Sequence, residues 1–277
     1  MLSYRHGFHA GNFADVFKHI LLFSLLENFK QQKPFTFIDI FSGAGVYSIE
    51  DSFMQKNKEY EKGILKLLSF KNNNNLINKY LNLISNLNNK DTFKIYPGSG
   101  LIATKILDEK DNLYFSEMHP NEFKNLESYF KIDKRVICEK ANAYQVLNKV
   151  LSNYTGRKLI LIDPSYEIKN EYEKVLKLIS HAFKQFPNEV YMVWYPELPT
   201  KNSDIFINSF LKLGIKNLSH IHIKFENSYL RMQGTGFFLI NSLDAINKEV
   251  IEAFELVMNF LKEPKSTTSI EMKVYLT

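Results

Sequence analysis

The chain has 277 residues, 45% of them hydrophobic, and carries 35 Lys and Arg against 30 Asp and Glu, a formal net charge of +5. That size fits one large α/β domain, or one domain with an inserted subdomain, and the mild positive charge permits a polyanionic partner. One cysteine, Cys138, excludes an intramolecular disulfide and suits a reducing compartment; no apolar run is long enough to span a membrane, and residues 1–6 lack the apolar stretch of a signal peptide.

The N-terminal run Tyr4-Arg5-His6-Gly7-Phe8-His9-Ala10-Gly11-Asn12 is dense in rings and cations. Metal ligation by its His-x-x-His is disfavoured, because no Cys and no compact ligand set accompanies it; no metal is expected. Residues 13–31 are predicted to be a helix, with Phe13, Val16, Phe17 and Ile20 on one face and Asn12 as N-cap. Asp15, Lys18 and His19 project from the other face. That face is either solvated or suited to stacking and phosphate contact on single-stranded RNA.

Residues 35–40 read as the first strand, running into Phe41-Ser42-Gly43-Ala44-Gly45. Glycines there allow a tight turn and close approach of a ligand, or only a plain strand–helix turn. Asp39 ahead of the turn can organise a ligand's amino group. Residues 56–89 read as two amphipathic helices broken at 72–75, residues 93–96 as a short strand, and residues 100–108 as a helix that Ser99 caps.

From there the alternation is regular. Strands are predicted at 112–117, 135–141, 158–163 and 189–195, each followed by a helix: 121–131, 143–152, 170–184 and 203–213. Strands at 218–225 and 235–241 close the sheet as an antiparallel pair, and a helix covers 245–262. This pattern predicts a parallel-dominated sheet with helices on both faces. Arg231, Gly234 and Gly236 read as a flexible loop before the last strand.

Polar residues fall where strands end. Glu117 can accept two hydrogen bonds from a ribose diol, or be a surface acid. The usual gap from the glycine turn is about 20 residues; the much larger gap here predicts an insertion over 46–95. Asn142, with both donor and acceptor, suits an adenine edge or simply forms a turn. Leu159-Ile160-Leu161-Ile162 ends in Asp163-Pro164-Ser165-Tyr166, and Pro164 cannot continue a central strand. Asp163 and the Pro164 carbonyl can each accept one hydrogen of an exocyclic amino group, while Tyr166 stacks on the ring. Trp194 and Tyr195 read as core and rim.

Together these motifs resemble the bacterial 23S ribosomal RNA adenine-N6 methyltransferases of the J type (RlmJ). The resemblance rests on the block from Met1 to His19, Tyr-Pro-Gly-Ser at 96–99, Glu-x-His-Pro at 117–120, Leu-Ile-Asp-Pro at 161–164 and Trp-Tyr-Pro at 194–196. It implies an α/β class I methyltransferase (Rossmann-like) sheet, mostly parallel with an antiparallel last strand, a single domain over 1–277 with a small helical insertion. It implies S-adenosylmethionine as cofactor, with contacts at His19, Ser99, Glu117, Asp163 and the Asn142-Ala143 position, beside Asp39 and Gly43 of the first turn. Asp163 is then the catalytic position, acting with Pro164 and Tyr166, and Tyr4, His6 and Lys18 lie near the RNA. The expected partner is 23S ribosomal RNA, naked or partly assembled, in the cytoplasm, with the protein a monomer.

The chain departs from the family pattern at three places. Ser165 replaces the second proline of Asp-Pro-Pro-Tyr, Asn142-Ala143 stands for Asp-Gly, and Phe41 stands for a histidine. The residues leave open methylation of a DNA adenine or a protein glutamine, and a non-catalytic RNA-binding module.

Overall fold

A computed structural model describes residues 5–89, 92–168, 170–226, 232–242, 248–262 and 267–275. Helix α1 (Phe13–Phe29) is capped by Asn12, whose side chain accepts from the Asp15 N–H. Strand β1 (Phe35–Asp39) follows, then β2 (Val46–Ser48), helix α2 (Ser52–Asn57), one π-helical turn (Glu61–Leu65), helix α3 (Asn75–Leu87) and strand β3 (Ile95–Pro97). Helix α4 (Ser99–Ile106) leads into the alternating units β4 (Asn112–Ser116), α5 (Pro120–Phe130), β5 (Val136–Glu139), α6 (Ala143–Asn153), β6 (Arg157–Ile162), α7 (Glu171–Gln185), β7 (Val190–Glu197) and α8 (Asn202–Leu211). Strands β8 (Leu218–Glu226) and β9 (Gly234–Ile240), helix α9 (Lys248–Leu261) and strand β10 (Thr267–Tyr275) complete the chain.

Eight strands form one sheet in the order β10-β8-β9-β7-β6-β1-β4-β5. Strands β5, β4, β1, β6 and β7 are parallel neighbours, and β9 runs against both β7 and β8. The sheet is mostly parallel with a reversed strand beside β7, as expected from the sequence. Beyond it the structure adds β10, antiparallel on the edge beside β8, which the sequence reading missed. Its exposure alternates with no fully buried position, so its apolar signal is weak. In β6 the buried stretch Leu159–Ile162 reads as a continuous apolar run because both faces are covered.

Helix α1 has no solvated face. It lies against α3, α4, α9 and the π turn, and Asp15, Lys18 and His19 are all buried. Helix α9, unplaced by pattern alone, packs on α1 and α3.

Between the glycine turn and α4 the chain makes an excursion that closes on itself. The Gly98 N–H donates to the Gly45 carbonyl (2.8 Å), and β2 pairs antiparallel with β3. The excursion is less helical than its pattern suggests. Lys58, with φ of 50°, ends α2, and the Ile64 N–H donates to the Gly11 carbonyl (2.9 Å). A Cβ at Gly63 would stand 2.1 Å from that oxygen, so close backbone approach interrupts the helix there.

Gly234 and Gly236 lie in β9 rather than in a loop, and Arg231 lies outside the described residues. A Cβ on Gly236 would sit 2.0 Å from Cζ of Tyr195. That ring is fully buried and its hydroxyl is bound to His220 Nε2 at 2.8 Å. Gly236→Ala is therefore expected to destabilise the fold by about 1–3 kcal/mol, by overpacking. A denaturant midpoint equal to wild type would refute this.

Candidate active site

Parallel strands deliver all their carboxyl ends to one edge of the sheet, where ligands bind in open α/β folds. A cleft of about 1110 Å³ opens there, room for more than a single small ligand. Its floor is built from strand ends: Ile40 after β1, Glu117 after β4, Asn142 after β5 and Asp163 after β6. Helix α1 contributes Asp15, Lys18 and His19 to the same cleft.

Asp39 closes β1 and is fully buried. It accepts from the Phe41 N–H (3.0 Å) and from the Ser99 hydroxyl. Burial pushes its carboxyl up to about 6, against those two donors. The next turn needs left-handed backbone at Gly43 and Gly45, with φ of 57° and 77°. The Gly43 N–H donates to one oxygen of Glu117 (2.9 Å) and the His119 N–H to the other (2.6 Å). Burial raises the Glu117 carboxyl, with these N–H groups opposing. Each oxygen keeps a further lone pair for a ligand. Asn142 caps α6 by accepting from the Tyr144 N–H (3.0 Å), which leaves its amide N–H₂ for other use; Ala143 is buried in the first turn of that helix.

His19 is 1% exposed. Its Nδ1 lies 2.7 Å from the Tyr96 hydroxyl, while its Nε2 is buried without a hydrogen-bond partner among the described residues. Burial pulls the imidazole down to about 3, so it is neutral near pH 7. An orphaned ring nitrogen on a cleft wall fits a polar ligand group, since a buried unpaired donor or acceptor is otherwise costly.

Asp163 and Lys18 meet directly, with Lys18 Nζ 2.5 Å from Asp163 Oδ2 and 2.7 Å from Asp15 Oδ1. Asp15 also accepts from the Gly11 N–H (2.9 Å) and lies 2.8 Å from His6 Nε2. Burial would raise the Asp15 carboxyl, yet His6 and Lys18 outweigh it and hold it well below the usual range. Burial likewise opposes the Lys18 ammonium, and its two carboxylates outweigh that and raise it. Lys18 is therefore a buried cation between two acids, not a surface one.

Tyr166 sits in the left-handed region, with φ of 53°. Its hydroxyl donates to the Trp194 carbonyl (2.7 Å) and its ring packs 4.4 Å from that of Tyr172. The half-buried Trp194 ring also lines the cleft, its indole N–H donating to Thr235 Oγ1 (2.6 Å). Phe41 packs edge-on against Tyr144 (5.6 Å).

Of the residues singled out from sequence, His6, Lys18, His19, Gly43, Ser99, Glu117, Asn142, Ala143, Asp163 and Tyr166 all line this cleft; Asp39 lies beneath it through Ser99, and Pro164 is buried in the loop between Asp163 and Ser165. Tyr4 lies outside the described residues. His6 and His9 bind separate carboxylates, Asp15 and Glu59, and among the described residues no group of three or more His, Cys, Asp or Glu could hold a metal. No helix among them is long and apolar enough to cross a membrane. Sequence reasoning missed Asp15 as the partner of Lys18, although their i,i+3 spacing was a usable signal. It also missed Glu171, which carries no local signal.

Comparison with known proteins shows relatives of the whole chain. The family model described as "Ribosomal RNA large subunit methyltransferase D, RlmJ" matches residues 32–274. The chain is 35% identical over 244 residues to the ribosomal RNA large subunit methyltransferase J of Escherichia coli (strain K12), covering 87% of each. It is 34% identical over 258 residues to the protein of that name in Haemophilus influenzae, covering 91% of this chain and 92% of that one. A crystal structure of a Legionella pneumophila protein superposes with a TM-score of 0.86 at 31% identity, covering 96% of this chain and 98% of the other.

Proposed function

The chain belongs to the RlmJ family of ribosomal RNA large subunit methyltransferases, and from that premise we propose that it methylates N6 of one adenine in 23S ribosomal RNA with S-adenosylmethionine as donor. The observation that carries this reading is the Asp163-Pro164 strand end, an acid and a rigid carbonyl beside aromatic rings in a cleft large enough for donor and base together.

S-adenosylmethionine, when bound, supplies an electrophilic methyl group. The residues suit its parts. The Glu117 oxygens accept from a ribose diol, the Asn142 amide reads an adenine edge, Ala143 leaves room at the start of α6, and the orphaned His19 Nε2 and Asp39 with Ser99 serve the amino-acid end. Gly43 lets the backbone come close.

On the other side of the cleft, Asp163 and the Pro164 carbonyl accept the two N6–H bonds. An adenine N6 lone pair is delocalised into the ring and is a poor nucleophile. Two acceptors below the amino plane favour a tetrahedral nitrogen whose lone pair points to the methyl group. With the methyl donor bound, this pair of acceptors would hold the nitrogen toward its methyl group as the methyl passes from sulfur to nitrogen, and Asp163 or water would take the N6 proton released. Lys18 aims the Asp163 carboxylate through their 2.5 Å contact, and much of the rate comes from such positioning. Tyr166 and Trp194 supply the aromatic surface for a base turned out of its helix.

Lys62, Lys66, Lys174 and Lys262 line the same cleft and suit a phosphate backbone; His6 lines it too, and the family resemblance implies a role for Tyr4 near the RNA. A monomer in the cytoplasm is sufficient for this reaction.

Mass mapping of 23S rRNA from cells with and without the protein tests the reading, alongside methyl incorporation into naked rRNA, duplex DNA and ribosomal proteins. Loss of one N6-methyladenine in the deletion supports it. An unchanged rRNA map, or incorporation into DNA or protein alone, overturns it.

Cofactor affinity should depend on pH. Asp39 is raised to about 6, so it is protonated below that pH and loses its attraction for a ligand ammonium. Calorimetry is expected to show binding about tenfold weaker at pH 5 than at pH 8, with the difference reduced in Asp39→Asn. Equal affinities at the two pH values would remove Asp39 from the binding set. The same shift acts on folding with the opposite sign. The folded pKa lies above the unfolded value of about 4, so the stability Asp39 contributes is full below that value and lost as pH rises through 6.

A further inference from the structure

The loop that carries Asp163 is held from below by a residue outside the motif. Ser165 leaves its backbone unrestrained where a proline ring would fix φ, and its hydroxyl donates to Glu171 Oε2 at 3.3 Å. Glu171 is the first residue of α7, is 9% exposed and borders the cleft. Burial raises its carboxyl, while the Ser165 hydroxyl and the nearby backbone N–H groups of Ile168 and Tyr166 oppose that; its own N–H donates to the Ile168 carbonyl (2.8 Å). Glu171 therefore ties the loop to α7 at two points, its carboxylate at Ser165 and its N–H at Ile168. The loop needs holding, because Tyr166 is a non-glycine residue at φ 53°, a conformation that persists only where surroundings enforce it. From above, its hydroxyl is fastened to the Trp194 carbonyl.

We propose that Glu171 is a positioning residue for the reaction: its buried carboxylate pins Ser165, and through it the strained backbone at Tyr166, and so fixes the spacing of the Asp163 carboxylate and the Pro164 carbonyl. This rests on the methyltransferase reading above. Glu171 acts through the loop and touches no reacting atom.

Trp194 is the single tryptophan of the chain, and its ring lies 5.8 Å from that of Tyr166, so its fluorescence reports the loop independently of activity. In Glu171→Ala, kcat on 23S rRNA is expected to fall at least tenfold, consistent with the sensitivity of rate to small misplacements. KM for RNA and cofactor affinity should stay within twofold, and acrylamide quenching of Trp194 should increase. Glu171→Gln keeps an acceptor oxygen and should stay within threefold of wild type. Ser165→Pro placed in the Glu171→Ala background should recover most of kcat and of the native quenching, because the ring restores the lost restraint. Unchanged quenching in Glu171→Ala overturns the proposal, whatever happens to kcat. So does a loss of kcat that follows a lowered melting temperature and is not recovered by Ser165→Pro. If the wild-type protein methylates no RNA, the methyltransferase reading fails, and the quenching series still decides whether Glu171 holds the loop.

Discussion

Asp163→Ala is expected to lower kcat for methyl transfer by about 10³-fold while the chain stays folded. The carboxylate is one of two acceptors for the amino hydrogens, and acceptors that strengthen as the nitrogen becomes tetrahedral act mainly in the transition state. Loss of such an interaction lowers kcat and kcat/KM together, and about 10³-fold corresponds to about 4 kcal/mol. Stability should change far less, because Lys18 keeps Asp15 at 2.7 Å and Asp163 sits at a strand end with some solvent access. Asp163→Asn keeps an acceptor oxygen and loses the charge, so it should fall between wild type and alanine. Single-turnover rates with thermal unfolding on the same samples check the pair. Wild-type turnover in Asp163→Ala would remove this residue from the chemistry.

Lys18→Met is expected to destabilise the fold by about 3–5 kcal/mol, the scale for breaking a buried ion pair from one side. Its ammonium, 6% exposed, lies between Asp15 and Asp163. Methionine fills much of the volume and leaves two acids with His6 as the nearby compensating group. The deficit should depend on pH with a definite sign. Lys18 is raised above its ordinary value, so in wild type its contribution is complete throughout the neutral range. In the variant Asp15 loses a cation that holds its carboxyl low and takes up a proton more readily, which makes the loss larger at pH 8 than at pH 5. Urea unfolding at pH 5 and pH 8 measures both. A loss under about 1 kcal/mol at pH 8 would mean that water reaches the triad and screens it.

Much of the sheet and most of the cleft residues were legible in the chain because their signals are local. Strand-length runs rich in apolar residues that lead to Asp39, Glu117 and Asp163 mark buried parallel strands, Asn142 follows the half-exposed edge strand β5, and the geometry of βα units brings those ends to one edge. The weaker signals failed for stated reasons. Strand β10 is half-exposed on an edge and alternates without a buried face, and the helical pattern over 56–89 could not register the Gly11 backbone pressing on Gly63.

The side chains of α1 mark the limit most clearly. Asp15, Lys18 and His19 at helical spacing look the same whether their face meets water or protein. Their burial depends on α3, α4 and α9 arriving from elsewhere in the chain. By itself the sequence determined which groups stand at the strand ends, because hydrophobic period and turn chemistry act over a few residues. Only the tertiary structure decided what those groups meet: Lys18 against Asp163, 145 residues later, Ser99 against Asp39, and Tyr166 against Trp194. Contacts of that kind owe their strength to burial and low local dielectric, which arise only when distant segments pack.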